Sequence, residues 1–197
     1  MIPKRIIVGA TGASGAPYLI RLLQELLMSG IEVHLVSSDL GRRVLFEETN
    51  VHSLEADSLG VGEFFENLIV YNDRNLGARI ASGSFLNDGM IVVPCSSNTL
   101  GAIASGITNT LVQRAAAVTL KERRKLVLAH RETPVGLVDL QNMCRVTEAG
   151  AIVAPLSPGY YMMPKSIDDL VDFMVGKLVD LVGIDHELPT RWDPMVR

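Results

Sequence analysis

The sequence is poor in charge: Asp, Glu, Lys and Arg make up only 20% of its 197 residues, against 48% apolar residues. A chain with so little charge is expected to bury surface a second time, in a homo-oligomer. Positive charge is the scarcer sign, 18 Lys and Arg against 22 Asp and Glu for a net charge of −4. That excludes the basic field of a general nucleic-acid binder. Cysteine is nearly absent. Cys95 and Cys144 form neither a disulfide scaffold nor a CxxC site. No apolar run approaches the roughly 18 residues that span a membrane, and Ile6 to Val8 is too short for the apolar region of a signal peptide, about 7–15 residues. The histidines, His34, His52, His130 and His186, lack metal-ligand spacing, so no metal is expected. These absences describe a cytoplasmic protein without membrane or nucleic-acid partners.

What is present is a repeating strand–helix pattern over a length suited to one domain. Lys4 to Gly9 reads as a strand, apolar without alternation, as in a sheet covered on both faces. A glycine turn follows. Tyr18, Leu19, Leu22, Leu23, Leu26 and Leu27 then recur at helical spacing up to Gly30, a C-terminal signal. Glu32 to Ser37 is the next strand, which completes a βαβ unit and implies a parallel sheet. Further along, strands are expected at Leu68–Tyr71, Gly89–Pro94, Lys125–Ala129 and Ala151–Ala154. Helices are expected at Leu40–Glu48, over Leu100–Lys121 with an interruption near Gly106, and at Val138–Ala149 and Ile167–Val182. The reading is a single α/β domain over residues 1–197, Rossmann-like and doubly wound, with a mostly parallel six-stranded sheet and helices on both faces.

Ligands of such sheets gather beyond the carboxyl ends of the strands. The segment Gly9-Ala10-Thr11-Gly12-Ala13-Ser14-Gly15 can offer backbone N–H groups and a helix N-terminus to an anion, with Ser14 as hydroxyl donor or helix cap. It is neither a Walker A loop nor a GxGxxG fingerprint. Ser37-Ser38 stands where a dinucleotide site has an acidic residue, which argues against NAD, although Ser38 equally suits a helix cap. Cys95-Ser96-Ser97-Asn98-Thr99 brings small hydrogen-bonding residues to a second helix start. Here Cys95 reads more readily as a small buried residue than as a nucleophile. In His130-Arg131-Glu132-Thr133-Pro134, Arg131 and Glu132 can serve acid–base chemistry or form a structural ion pair. Gly159-Tyr160-Tyr161-Met162-Met163-Pro164 suits an apolar lid or a subunit contact, and Lys121 belongs to a charge run that can reach a phosphate.

Taken in order, Thr11-Gly12-Ala13-Ser14-Gly15, Ser82-Gly83-Ser84-Phe85, Pro94-Cys95-Ser96 with Thr99, Leu120-Lys121-Glu122-Arg123-Arg124, Arg131-Glu132-Thr133-Pro134 and Tyr161-x-x-Pro164 resemble the UbiX-type flavin prenyltransferases. The resemblance spans about Lys4 to Trp192. It implies a homododecamer with active sites at subunit contacts. It also implies transfer of a dimethylallyl group from dimethylallyl phosphate to N5 and C6 of reduced FMN, the prenylated FMN passing to a UbiD-type decarboxylase. By that resemblance Gly12, Ala13, Ser14, Ser38, Ser96, Ser97, Asn98, Thr99 and Arg131 bind FMN. Tyr161 and Lys177 hold dimethylallyl phosphate with help from Lys121, Arg114 and Arg131. Glu132, Ser14, Lys121 and Tyr161 carry the chemistry, without a metal. The closing helix and tail, about 166–197, are expected at oligomer contacts. Lys177 stands where the family often has Arg, keeping the charge but not the planar bidentate contact. Trp192 resembles the C-terminal tryptophan of related chains. Two other readings remain at this level: an FMN-dependent decarboxylase of a cysteine-derived substrate, and a non-catalytic flavin carrier or decarboxylase subunit.

Overall fold

In the computed structural model, which describes residues 4–188 and 190, one sheet holds six strands. They are β1 (Arg5–Ala10), β2 (Glu32–Ser37), β3 (Leu68–Asn72), β4 (Gly89–Cys95), β5 (Leu126–His130) and β6 (Ile152–Val153). Their spatial order is β3-β2-β1-β4-β5-β6, and every pairing is parallel. The helices are α1 (Ala16–Met28), α2 (Asp39–Thr49), α3 (Ser97–Ala104), α4 (Leu111–Lys121), α5 (Leu137–Glu148) and α6 (Ile167–Val182). This is the doubly wound architecture expected from the strand–helix alternation, and among the described residues no helix is long and apolar enough to cross a membrane. Trp192 and the rest of the tail beyond Thr190 lie outside the described residues.

Both faces of the sheet are covered, which explains strands without polar alternation. Ile6, Val8 and Ala10 face a core made with α1, α2 and α6, while Ile7, Met90 and Val92 face one made with α3, α4 and α5. Leu19, Leu22, Leu23, Leu26 and Leu27 of α1 are all buried, and each contributes roughly 1.5–3 kcal/mol by leaving water. The helix stops at Ser29, with Gly30 in the left-handed region at φ 72°, where glycine carries no Cβ penalty.

One local expectation holds, the interruption near Gly106, and two others change. The stretch over Leu100–Lys121 is two helices, α3 and α4, separated at Gly106 (φ 70°). Thr110 and Gln113 restart the chain there through a reciprocal capping box, whose signature was open to reading. The last strand, expected over Ala151–Ala154, is Ile152–Val153, paired with β5 at the edge of the sheet. Ser14 does not cap α1. Its N-cap is Gly15 at φ 134°, a conformation closed to side-chain-bearing residues.

The strand order reverses between β1 and β4, so the loops leaving these strands part and open a crevice. Thr11 spans it. Its hydroxyl donates to the Pro94 carbonyl at 2.9 Å and accepts the Ser96 N–H at 2.9 Å, and its own N–H also reaches the Pro94 carbonyl, at 3.1 Å. The residue is 2% exposed. Thr11→Val keeps the shape but leaves the Ser96 N–H without its acceptor, which is expected to cost about 1–3 kcal/mol in urea unfolding. Thr11→Ser, which retains the hydroxyl, is expected to recover most of that loss. Equal stability of the Val variant and the wild type would contradict this role.

Candidate functional site

Beyond the carboxyl ends of the strands lies a cavity of about 470 Å³, within the range of small-molecule sites. Thr11 and Gly12 follow β1, Ser38, Asp39 and Leu40 follow β2, and Asp73 follows β3 around its wall. Ser96, Ser97, Asn98 and Thr99 follow β4, Glu132 follows β5, and Thr110, Val112 and Gln113 come from the start of α4. Three helix N-termini therefore converge on one space. Gly12 lets α2 approach, since a Cβ there would lie 2.7 Å from that of Leu40.

The helix ends differ in what they have left to offer. At α4, the Asp73 carbonyl accepts the Leu111 N–H at 2.7 Å and its carboxylate accepts that of Val112 at 2.9 Å, so this end is already neutralised. At α2, Ser38 accepts the Gly41 N–H at 3.0 Å, which bears out the capping role. At α3, Ser96 accepts the Thr99 N–H at 3.3 Å. Helix geometry leaves the N–H groups of Ser97 and Asn98 without intrahelical acceptors, so they are available to an anion.

The glycine turn before α1 departs from the expectation of an open anion cradle. Glu48, from the last turn of α2, occupies it: its carboxylate accepts the N–H groups of Gly15 at 2.9 Å and Ala16 at 2.8 Å. Burial pushes the Glu48 carboxyl up, but the Ser14 hydroxyl, the two N–H groups and the Arg131 guanidinium outweigh it and hold it below the ordinary range. The anion at this helix terminus is the protein's own. Sequence reading missed Glu48, because nothing local ties it to a turn 33 residues earlier. It also gave no role to Thr11, Asp39, Asp73, Thr110 or Gln113.

Glu132 sits on the cavity rim, with Oε2 3.4 Å from the Ser97 hydroxyl and Oε1 accepting the Thr133 N–H at 3.0 Å. Arg131 is anchored by its backbone N–H on the Cys95 carbonyl at 3.2 Å, and its side-chain charge acts on Glu48. Gly12, Ser38, Ser96, Ser97, Asn98, Thr99 and Glu132 are thus brought together, with Ser14 and Arg131 joined to them through Glu48. Cys95 is fully buried and its thiol is pushed up to about 12 by desolvation. It packs and does not attack.

The remaining predicted residues lie elsewhere on the chain. Tyr161 packs edge-on against Phe173 of α6 at 5.5 Å, beside a second cavity of about 250 Å³ that Gly159, Met162, Met163 and Phe173 help to line. Lys177 is exposed one turn further along α6. Arg114 and Lys121 are both exposed on α4. Arg114 donates from Nε to the Ala81 carbonyl at 3.4 Å, and Lys121 pairs with Glu122 at 3.2 Å. At 1.5 Å of rise per residue, Lys121 is roughly 12 Å along α4 from Gln113, the last α4 residue at the cavity. Within one chain these two cations line no part of it.

The cavity suits a flavin mononucleotide on its own chemistry. Hydroxyls and amides of Ser38 and of Ser96 to Thr99 match a phosphate and a polyol chain, and α3 supplies the N-terminal N–H groups. The profile of the flavoprotein family matches residues 1–179. Flavin prenyltransferase UbiX of Thermoplasma acidophilum is 46% identical over 95% of this chain and 99% of its own. The crystal structure of AnUbiX (PadA1) in complex with FMN and dimethylallyl pyrophosphate superposes with a TM-score of 0.88 at 42% identity, covering 97% of this chain and 98% of that one. A dodecameric FMN-dependent UbiX-like decarboxylase from Escherichia coli O157:H7 gives a TM-score of 0.87 at 39% identity, over 96% and 99% of the two chains. A PPC decarboxylase mutant, at 16% identity and a TM-score of 0.58 over 79% of this chain and 84% of that one, shares the fold alone. On a profile match across most of its length and near-full-length identity above 40%, this chain belongs to the UbiX-type flavin prenyltransferases of the flavoprotein family.

Proposed function

We propose that this protein joins a dimethylallyl group from dimethylallyl phosphate to N5 and C6 of reduced FMN and passes the prenylated FMN to a UbiD-type decarboxylase. The observation that carries the reading is a flavin-sized cavity lined by hydroxyls with Glu132 on its rim and Arg131 next to it, in a chain so similar to prenyltransferases. Bound reduced FMN supplies the two nucleophilic positions. The α3 N-terminus, with Ser38 and Ser96 to Thr99, holds its phosphate and polyol, and Gly12, Ala13 and Ser14 line its approach to β1.

The donor's C–O bond breaks with its electron pair leaving on phosphate, so positive charge at that oxygen lowers the barrier without a metal. Arg131, Lys177 and the Tyr161 hydroxyl meet this need from one chain. Arg114 and Lys121, on the exposed face of α4, meet it from a neighbouring subunit, with α6 and the tail contributing to the contacts. Glu132 gives a proton to the leaving phosphate and accepts the proton released as the flavin is alkylated, and Ser14 relays through Glu48. The Tyr161 loop keeps water from the reactive allyl group. A flavin held in its reduced form suits the reducing cytoplasm, where we place the reaction.

Purified protein incubated anaerobically with FMN, dithionite and dimethylallyl phosphate is expected to release flavin heavier by one dimethylallyl unit in a mass spectrum. Unmodified FMN from protein shown to bind it would overturn the reading. Glu132→Ala is expected to retain FMN but slow prenylation by about 10²-fold or more. A second test concerns the shared site. Glu132→Ala and Lys121→Ala subunits, each inactive alone, are expected to regain about a quarter of wild-type turnover after subunit exchange at equal ratio, the statistical share of sites with both side chains intact. Absence of any recovery in verified mixed oligomers would return Lys121 to the same chain as Glu132.

A further inference from the structure

The loop Ser82-Gly83-Ser84-Phe85 lines no part of the cavity in its own chain, yet it is fastened from three sides. Phe85 is buried. Its ring meets that of His34 edge-to-face at 4.7 Å and lies under the guanidinium groups of Arg79 and Arg5, at 5.3 and 5.7 Å. The Phe85 N–H donates to the Ser82 carbonyl at 3.2 Å and closes the turn. Arg124 supplies the third hold: Nη1 donates to the Phe85 carbonyl at 2.7 Å and Nη2 to the Gly83 carbonyl at 2.8 Å. One planar guanidinium thus spans two carbonyls, a fork that a lysine ammonium does not reproduce. Arg124 reaches the loop because α4 ends sharply. Arg123 takes the left-handed conformation at φ 58°, and the Arg124 N–H bonds back to the Thr119 carbonyl at 3.0 Å.

The loop in turn touches both cations on the exposed face of α4. Arg114 and Lys121 are seven residues apart, about two turns and roughly 10 Å along one face. At one end of the loop the Ala81 carbonyl accepts from Arg114 Nε at 3.4 Å. At the other, Glu122 closes over Gly83, where a Cβ would collide with Oε1, and the same oxygen pairs with Lys121 Nζ at 3.2 Å. An exposed pair of this kind is worth little by itself, and it leaves the ammonium further N–H groups for a phosphate. Its effect is on placement. With the loop fixed, two long side chains that would otherwise sample many rotamers are held near one arrangement.

We propose that Arg124 is a positioning residue for Arg114 and Lys121, acting through the 81–85 loop to pre-arrange the two cations that receive the donor's phosphate. The inference rests on the reading of α4 as the face offered to a neighbouring subunit's site.

The test is steady-state prenylation with dimethylallyl phosphate varied at saturating reduced FMN, with Tm and FMN affinity measured for each variant. Arg124→Lys keeps the charge but gives up the fork. It is expected to raise KM for dimethylallyl phosphate about tenfold, since two long side chains must then be ordered at the moment of binding, with kcat and FMN affinity near wild type. Arg124→Ala is expected to raise KM at least as far. In mixed oligomers Arg124→Ala should behave as Lys121→Ala does, regaining activity with Glu132→Ala subunits and staying at the mean of the two parents with Lys121→Ala subunits. A loop that only stabilised the fold would instead lower Tm and FMN affinity together and leave KM unmoved. Unchanged KM in both variants, a parallel loss of FMN affinity, or recovery with Lys121→Ala would overturn the inference. Should Arg124→Ala fail to fold, the KM of Arg124→Lys decides. Failure of Glu132→Ala and Lys121→Ala to complement each other would remove the reading beneath the inference, while the KM comparison still decides Arg124.

Discussion

The Thr11 hydroxyl fastens two loops that the topology drives apart. Because the strand order turns back between β1 and β4, one backbone bond, from the Thr11 N–H to the Pro94 carbonyl, is all that continues the pairing of these two strands beyond the end of β1, and it does not reach the Ser96 turn. Thr11 bonds to both the Pro94 carbonyl and the Ser96 N–H, inside the crevice where water cannot substitute for either bond. The positions of Gly12 and Ser14 relative to the α3 N-terminus follow from that side chain. So does the spacing across which a flavin would lie.

A second constraint is electrostatic. Parallel sheets bring helix N-termini to one edge, and each carries partial positive charge. This chain closes two of them with its own carboxylates, Glu48 at α1 and Asp73 at α4. The first turn of α3 remains open to a ligand, flanked by the Ser38 cap of α2. The termini facing the cavity therefore differ: those of α2 and α3 carry only a serine cap and keep N–H groups for an anion, while that of α4 is taken by Asp73.

How much of this was legible follows from the range of the interactions. Strands and helices are local, and the leucine spacing of α1 or the unbroken apolar run of β4 announces them. The residues after β4 and β5 were legible for the same reason, since the fold class says where strand ends must gather. Glu48 was not, because its partners lie 33 residues away and its place in α2 looks like any helical glutamate. Asp73 follows a short edge strand and carries no motif. Arg114 and Lys121 were recognised as cations, but their distance from the cavity in one chain is a property of α4's length and direction. No pattern in the sequence states it.

The carboxylates around the cavity have a further consequence for what the protein ignores. Asp39, Asp73 and Glu132 line it, and among the described residues no Lys or Arg does, although Arg74 pairs with Asp39 at 2.8 Å. A ligand with one phosphate can place that group at the α3 terminus and present uncharged atoms to the rest of the wall. A nucleoside di- or triphosphate would have to bring additional negative charge against the same carboxylates, which costs free energy at every added phosphate.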